Sequence, residues 1–69
     1  MTVYKIVEIV GTSPNSWEDA ARSALATASK SLEDLRIAEV VRQDVAVEQG
    51  KITSFRIRLN LSFKYREDM

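Results

Sequence analysis

The chain is predicted to be α+β, in the order β-α-β-β, with a hairpin joining its last two strands. Three features predict this. Residues 52–65 alternate strictly: Phe55, Ile57, Leu59, Leu61, Phe63 and Tyr65 point one way, and Ser54, Arg56, Arg58, Asn60, Ser62 and Lys64 the other. That is the period-two mark of a sheet with one apolar face. A single segment, residues 17–31, repeats its apolar positions at spacings of three and four, as a helix does. Gln49-Gly50 then separates two long strand-like runs, and Gly50 can take the positive φ that a two-residue hairpin turn requires.

The elements follow in order. Residues 3–10 are rich in β-branched side chains and end at Gly11, which suits a first strand. Thr12-Ser13-Pro14-Asn15-Ser16 is a run of turn formers. Ser16 is the expected helix N-cap, with Asp19 three residues later as a variant of the capping box. Glu18 and Asp19 suit the positive end of the helix dipole. The helical stripe is Trp17, Ala21, Ala24, Leu25, Ala28 and Leu32. Most of it is alanine, so the helix is expected to lie close to the sheet. Residues 35–48 form the second strand. With the turn centred on Gln49-Gly50, facing residues have numbers summing to 99. Gln43 then opposes Arg56, Val41 opposes Arg58, Glu39 opposes Asn60 and Ile37 opposes Ser62. On the apolar side Val40 opposes Leu59, Ala38 opposes Leu61, and Asp44 opposes Phe55. Residues 66–69 read as a frayed tail.

Lengths carry a consequence. Fourteen strand residues span roughly 45 Å at about 3.3 Å each. The helix spans about 22 Å. Much of the apolar face is left without cover from the chain itself, so a homo-oligomer is expected.

Composition narrows the function. A single domain, residues 1–69, is the expectation, and one of about 60 residues is marginal alone. There is no cysteine and no histidine. Disulfides, thiolate sites and the commonest general base and transition-metal ligand are therefore absent; assembly is the remaining common staple. Ten basic and ten acidic residues cancel, whereas a nucleic-acid binder carries a basic excess. No stretch reaches the ~20 apolar residues of a membrane span, and no signal-type segment opens the chain. A soluble cytoplasmic protein, with no nucleic-acid or membrane partner, is expected.

No catalytic constellation emerges. Glu8, Glu39 and Glu48 have no evident asymmetry that would part their pKa values. The serines lack a base, and Gly11 alone is not a phosphate loop. Arg56 and Arg58, two apart on the polar strand face, are either an anion clamp or a solvated, salt-bridged face near Glu39 and Glu48. Asp44 falls on the apolar side, and is either half of an inter-subunit ion pair or a ligand to a hard cation such as calcium, or else a charge guarding a strand end or simply exposed beyond the helix. Trp17 opens the helical stripe and is read as packing, and Tyr4 and Tyr65 are read as interface or core residues.

The run Val3-Tyr4-Lys5-Ile6-Val7-Glu8 leading into Gly11-Thr12-Ser13-Pro14, then a helix, then Ala38-Glu39-Val40 and a long final strand, resembles the dodecins along nearly the whole chain. The resemblance implies a three-stranded antiparallel sheet partly wrapped around one helix, assembled as a hollow homododecamer. It also implies binding of riboflavin or FMN, stacked by a tryptophan early in strand two and hydrogen-bonded by a glutamine in strand three. Those positions hold Ile37 and Arg56 here; Gln43 and Arg58 lie beside them. An isoleucine has no flat π-face, and an arginine has no acceptor. A closer resemblance is to the calcium dodecins. It runs through Ile9-Val10-Gly11-Thr12-Ser13-Pro14-Asn15-Ser16-Trp17-Glu18, Gln43-Asp44-Val45-Ala46-Val47, Gly50-Lys51-Ile52-Thr53 and Leu61-Ser62-Phe63-Lys64. This subgroup also lacks the flavin tryptophan. Asp44, Asn15 and Glu39 are the candidate calcium ligands, chosen because their side chains offer oxygens. The expected function is a non-enzymatic oligomeric shell that binds or buffers a small ligand or ion, calcium first. Flavin storage, or a structural or anionic-coenzyme-binding role, are the alternatives.

Overall fold

The structure is a computed structural model, and it describes residues 2–64. Four elements run in the expected order: β1 (Tyr4–Ser13), α1 (Trp17–Ala28), β2 (Leu35–Glu48) and β3 (Lys51–Lys64). The strands form one antiparallel sheet in the order β1-β3-β2. The long alternating strand is therefore central, with both neighbours hydrogen-bonded to it. Tyr65 and residues 66–69 lie outside the described residues.

Two boundaries differ from expectation. β1 continues through Thr12 and Ser13, which pair with Arg56 and Phe55; turn-forming residues are held extended because β3 offers them a ladder. The helix stops at Ala28 rather than at 31. Its end is closed by Ser29 N–H donating to the Leu25 carbonyl, and by Leu32 N–H donating to the Ala28 carbonyl. The N-terminal reading holds: Ser16 is the N-cap, and its hydroxyl accepts from Asp19 N–H at 3.0 Å. Asp19 adds a bond of its own, its carboxylate accepting from the buried Ser13 hydroxyl at 2.6 Å.

The helix packs on β1 and β3. Ala20, Ile57, Leu59 and Leu61 are fully buried between them, ringed by Ile9, Trp17, Ala24, Leu25 and Leu32. The alanine stripe does let the helix come close. A Cβ built on Gly11 would stand 2.6 Å from the Ala20 carbonyl oxygen and 2.8 Å from the Ala24 Cβ, so only glycine fits under this helix.

The hairpin turn is as expected. Glu48 pairs with Lys51, and the two residues between them, Gln49 and Gly50, have φ of 51° and 77°, the pattern of a type I′ turn.

The register is not uniform, and this corrects the expected pairing. The sum of 99 holds for Ile37–Ser62, Ala38–Leu61, Glu39–Asn60 and Val40–Leu59, then breaks between Val40 and Arg42. Beyond that bulge Arg42 faces Arg58, Gln43 faces Ile57, Asp44 faces Arg56 and Val45 faces Phe55. A second irregularity between Ala46 and Val47 restores the sum before the turn. One extra residue in a strand reverses the faces of everything after it. Asp44 therefore does not lie on the apolar side opposite Phe55.

The molecule is long and thin, 51 × 20 × 15 Å, with a radius of gyration of 14.2 Å; a compact domain of this length would have about 11 Å. Exposed apolar side chains follow from that shape, though not quite where strand length alone puts them. Phe55 is half-buried because Trp17 packs edge-on against it at 5.2 Å between ring centroids. Among the described residues the uncovered ones are Val3 before β1, Val47 and Ile52 near the hairpin, Val40 and Val41 on β2, and Tyr4, Ile6, Val10 and Ile37. The last four belong to the sheet face that the helix does not touch.

Candidate functional site

That open face is ordered in rows, because directly paired residues of neighbouring strands share a side of the sheet. From one end they read Ile6–Ser62–Ile37, Glu8–Asn60–Glu39, Val10–Arg58–Arg42 and Thr12–Arg56–Asp44. An apolar row is followed by an acidic one, a basic one, and one that pairs opposite charges.

The last row is the most ordered. Arg56 donates from Nε to Asp44 Oδ1 at 2.7 Å and from a terminal nitrogen to Oδ2 at 3.2 Å. This is the bidentate fork that arginine makes with a carboxylate. The hydrogen bonds from Arg56 hold the Asp44 carboxyl below its usual range, and the Arg58 and Arg42 charges act in the same direction. The same bond raises the Arg56 pKa. The Asp44 backbone is tethered too: Trp17 Nε1 donates to its carbonyl at 3.1 Å. Trp17 is thus a packing residue, as expected, and in addition ties the start of α1 to β2.

The candidate calcium ligands are not brought together within one chain. Asp44 is occupied by Arg56. Glu39 lies five residues away on β2, about 16 Å along the strand. Asn15 lies in the β1–α1 connection, its backbone N–H donating to the Ser13 hydroxyl at 3.0 Å. Among the described residues no group of three or more acidic side chains is placed to hold a metal ion. Glu39 does have oxygen-bearing company, since Asn60 lies beside it and Glu8 beyond.

The two positions that the resemblance linked to flavin share the open face, but Ile37 pairs with Ser62 and Arg56 with Asp44. Six residues of β3 separate the two rows, about 20 Å along the strand. Gln43 was expected beside Arg56; it pairs with Ile57, on the helix side, and is exposed there. Arg58 is where it was expected, but its partner is Arg42 rather than Val41. The sequence reading missed Arg42 altogether. A signal was present: alternation in β2 fails at Val40-Val41 and is followed by three polar residues, Arg42-Gln43-Asp44, as an inserted residue produces.

Elsewhere, an open groove of about 340 Å³ lies between β1 and α1, lined by Ile9, Gly11, Ala24 and Ala28 among others and by no charged residue. Among the described residues no helix is long and apolar enough to cross a membrane.

The family model for dodecins matches residues 3–66. The chain belongs to the dodecin family. It is 54% identical over 67 residues to the calcium dodecin of Mycobacterium tuberculosis, an alignment covering 96% of this chain and 93% of that protein. It is 35% identical over 65 residues to the dodecin of Thermus thermophilus, covering 94% of each. Among solved structures, the dodecin of Streptomyces coelicolor superposes with a TM-score of 0.90 at 33% identity, covering 96% of this chain and 94% of that one. The crystal structure of the Mycobacterium tuberculosis calcium dodecin, described as a calcium-chelating antigen with a novel calcium-binding site, matches with a TM-score of 0.82 at 50% identity, covering 97% and 96%. The dodecin-like β-α-β-β fold expected from the sequence is the fold observed.

Proposed function

We propose that this dodecin is a non-enzymatic binding protein, a single cytoplasmic domain that assembles as a homododecameric shell and takes up calcium. The observation that carries the assembly is the open sheet face. Tyr4, Ile6, Val10 and Ile37 are each at least half exposed there, beside charged rows, on a molecule too thin to cover both of its faces. Calcium is supported by the 54% identity to a calcium dodecin. It is supported also by the row Glu8–Asn60–Glu39, which offers side-chain oxygens of the hard kind calcium prefers. One row cannot fill six to eight coordination positions, so copies of the chain would complete the site.

Sedimentation velocity combined with calorimetry tests both halves. A particle of twelve times 7.8 kDa and a saturable calcium heat are expected. Glu39→Gln should abolish that heat, and Asp44→Ala should weaken it only if Arg56 yields the carboxylate in the assembly. A folded species of 7.8 kDa at micromolar concentration would remove the shell; a flat calcium titration of the intact particle would remove calcium.

Flavin binding is the second reading, favoured by one observation. Among the described residues Ile37 is the most exposed large apolar side chain, at 64%, and it shares the open face with Arg56. Quenching of added riboflavin fluorescence by the unmodified protein would put flavin ahead of calcium.

A further inference from the structure

We propose that Arg42 and Arg58 form an oxyanion site on the open face, one that takes phosphate or the phosphate group of a small monoester. Calcium has no place in it, so it is separate from the function proposed above.

The two arginines are directly opposed across β2 and β3. Facing residues in an antiparallel pair have Cβ atoms about 5 Å apart, and like charges so placed destabilise the sheet. The register without a bulge would have set Val41 against Arg58. The break between Val40 and Arg42 is what carries Arg42 onto the same face. Bulges are a common means of re-aiming a side chain at a functional position, and here the result is two arginines paired on one face.

The carboxylate whose field they share, Asp44, is engaged by another arginine. Both oxygens of Asp44 are taken by Arg56. Among the described residues the ion pairs are Asp34–Arg36 and Asp44–Arg56, and neither involves Arg42 or Arg58. Glu8 and Glu39, one row away, make no ion pair with them. The notch that Arg42 and Arg58 share with Val10, Ile57 and the Asp44–Arg56 pair measures about 10 Å³, room for about one water. An anion would therefore bridge the pair from above the open face rather than enter. The paired forks match the tetrahedral oxygens of a phosphate, which accepts two parallel hydrogen bonds from each guanidinium. Binding would convert a repulsive contact into an attractive one.

Calorimetry on the assembled protein with inorganic phosphate, and separately with glycerol phosphate, tests the site. Saturable heat is expected for at least one probe. Competition between the two would show that free and esterified phosphate share the site. Arg58→Ala and Arg42→Ala should each weaken binding about ten-fold or more. Asp44→Asn, which releases Arg56, should tighten it. Arg58→Lys keeps the charge and loses the fork, so it should leave the sedimentation coefficient unchanged and still weaken phosphate. Absence of saturable heat at millimolar phosphate, or heat retained in both alanine variants, would overturn the proposal. So would Arg58→Lys dissociating the particle, since the arginines would then be ion pairs to carboxylates of another copy.

Discussion

Gly11 and Asp44 show how much one residue settles in so small a molecule. The Gly11 position is set by contact, not by backbone conformation: the Ala20 carbonyl would lie 2.6 Å from an added methyl. Backbone cannot move aside as a flexible side chain can. Gly11→Ala should therefore cost about 1–3 kcal/mol as an overpacked contact, measurable as a lower denaturant midpoint. Asp44 is governed by charge. Its folded-state pKa lies below the unfolded one because Arg56 is hydrogen-bonded to it. Its stabilisation is then fully present above the ordinary carboxylate pKa, and is lost as pH falls through the lowered folded value. The stability difference between the parent protein and Asp44→Asn should be flat from neutrality down to that range and shrink below it. A difference that instead shrank between pH 8 and pH 6 would place its origin in another group.

At the scale of elements, each connection has one small device holding it. α1 begins on the Ser16 cap, and Ser16→Ala should lower stability by about 1 kcal/mol. Its first residue reaches across to β2 through the Trp17 Nε1 bond to the Asp44 carbonyl. Trp17→Phe keeps an aromatic ring against Phe55 but loses that donor, with an expected cost of about 1 kcal/mol. Chemical denaturation of the two variants checks both; equal stability of Trp17→Phe and the parent would mean that the bond contributes nothing. Much at this scale was legible in the sequence. The cap, the alanine stripe and the Gln49-Gly50 turn are local chemistry, each decided within a few residues. The β2 register was not. The doublet Val40-Val41 breaks the alternation, yet only the ladder against β3 says which residue is the extra one.

For the whole molecule, the decisive quantity is uncovered surface. A sheet strand of fourteen residues cannot be sheltered by a helix of twelve, and the face opposite the helix has no layer at all. Ile6, 61% exposed, lies in the apolar row of that face beside Ser62 and Ile37. Ile6→Glu should shift the sedimentation profile toward smaller species while the helix and sheet signals in circular dichroism persist. An unchanged particle would assign this face to the solvent side of the assembly.

The order of elements, the faces of β3 and the lack of cysteine and histidine chemistry were determined by the sequence alone, because period, turn residues and composition are properties of neighbouring positions. The partners of Arg58 and Arg56 were decided only by the tertiary structure. A strand's own alternation says which of its residues share a side, but a bulge changes which side that is, and the change exists only in the hydrogen bonds to another strand. That one-residue step separates a surface where valine and glutamine face the arginines from one where arginine and aspartate do.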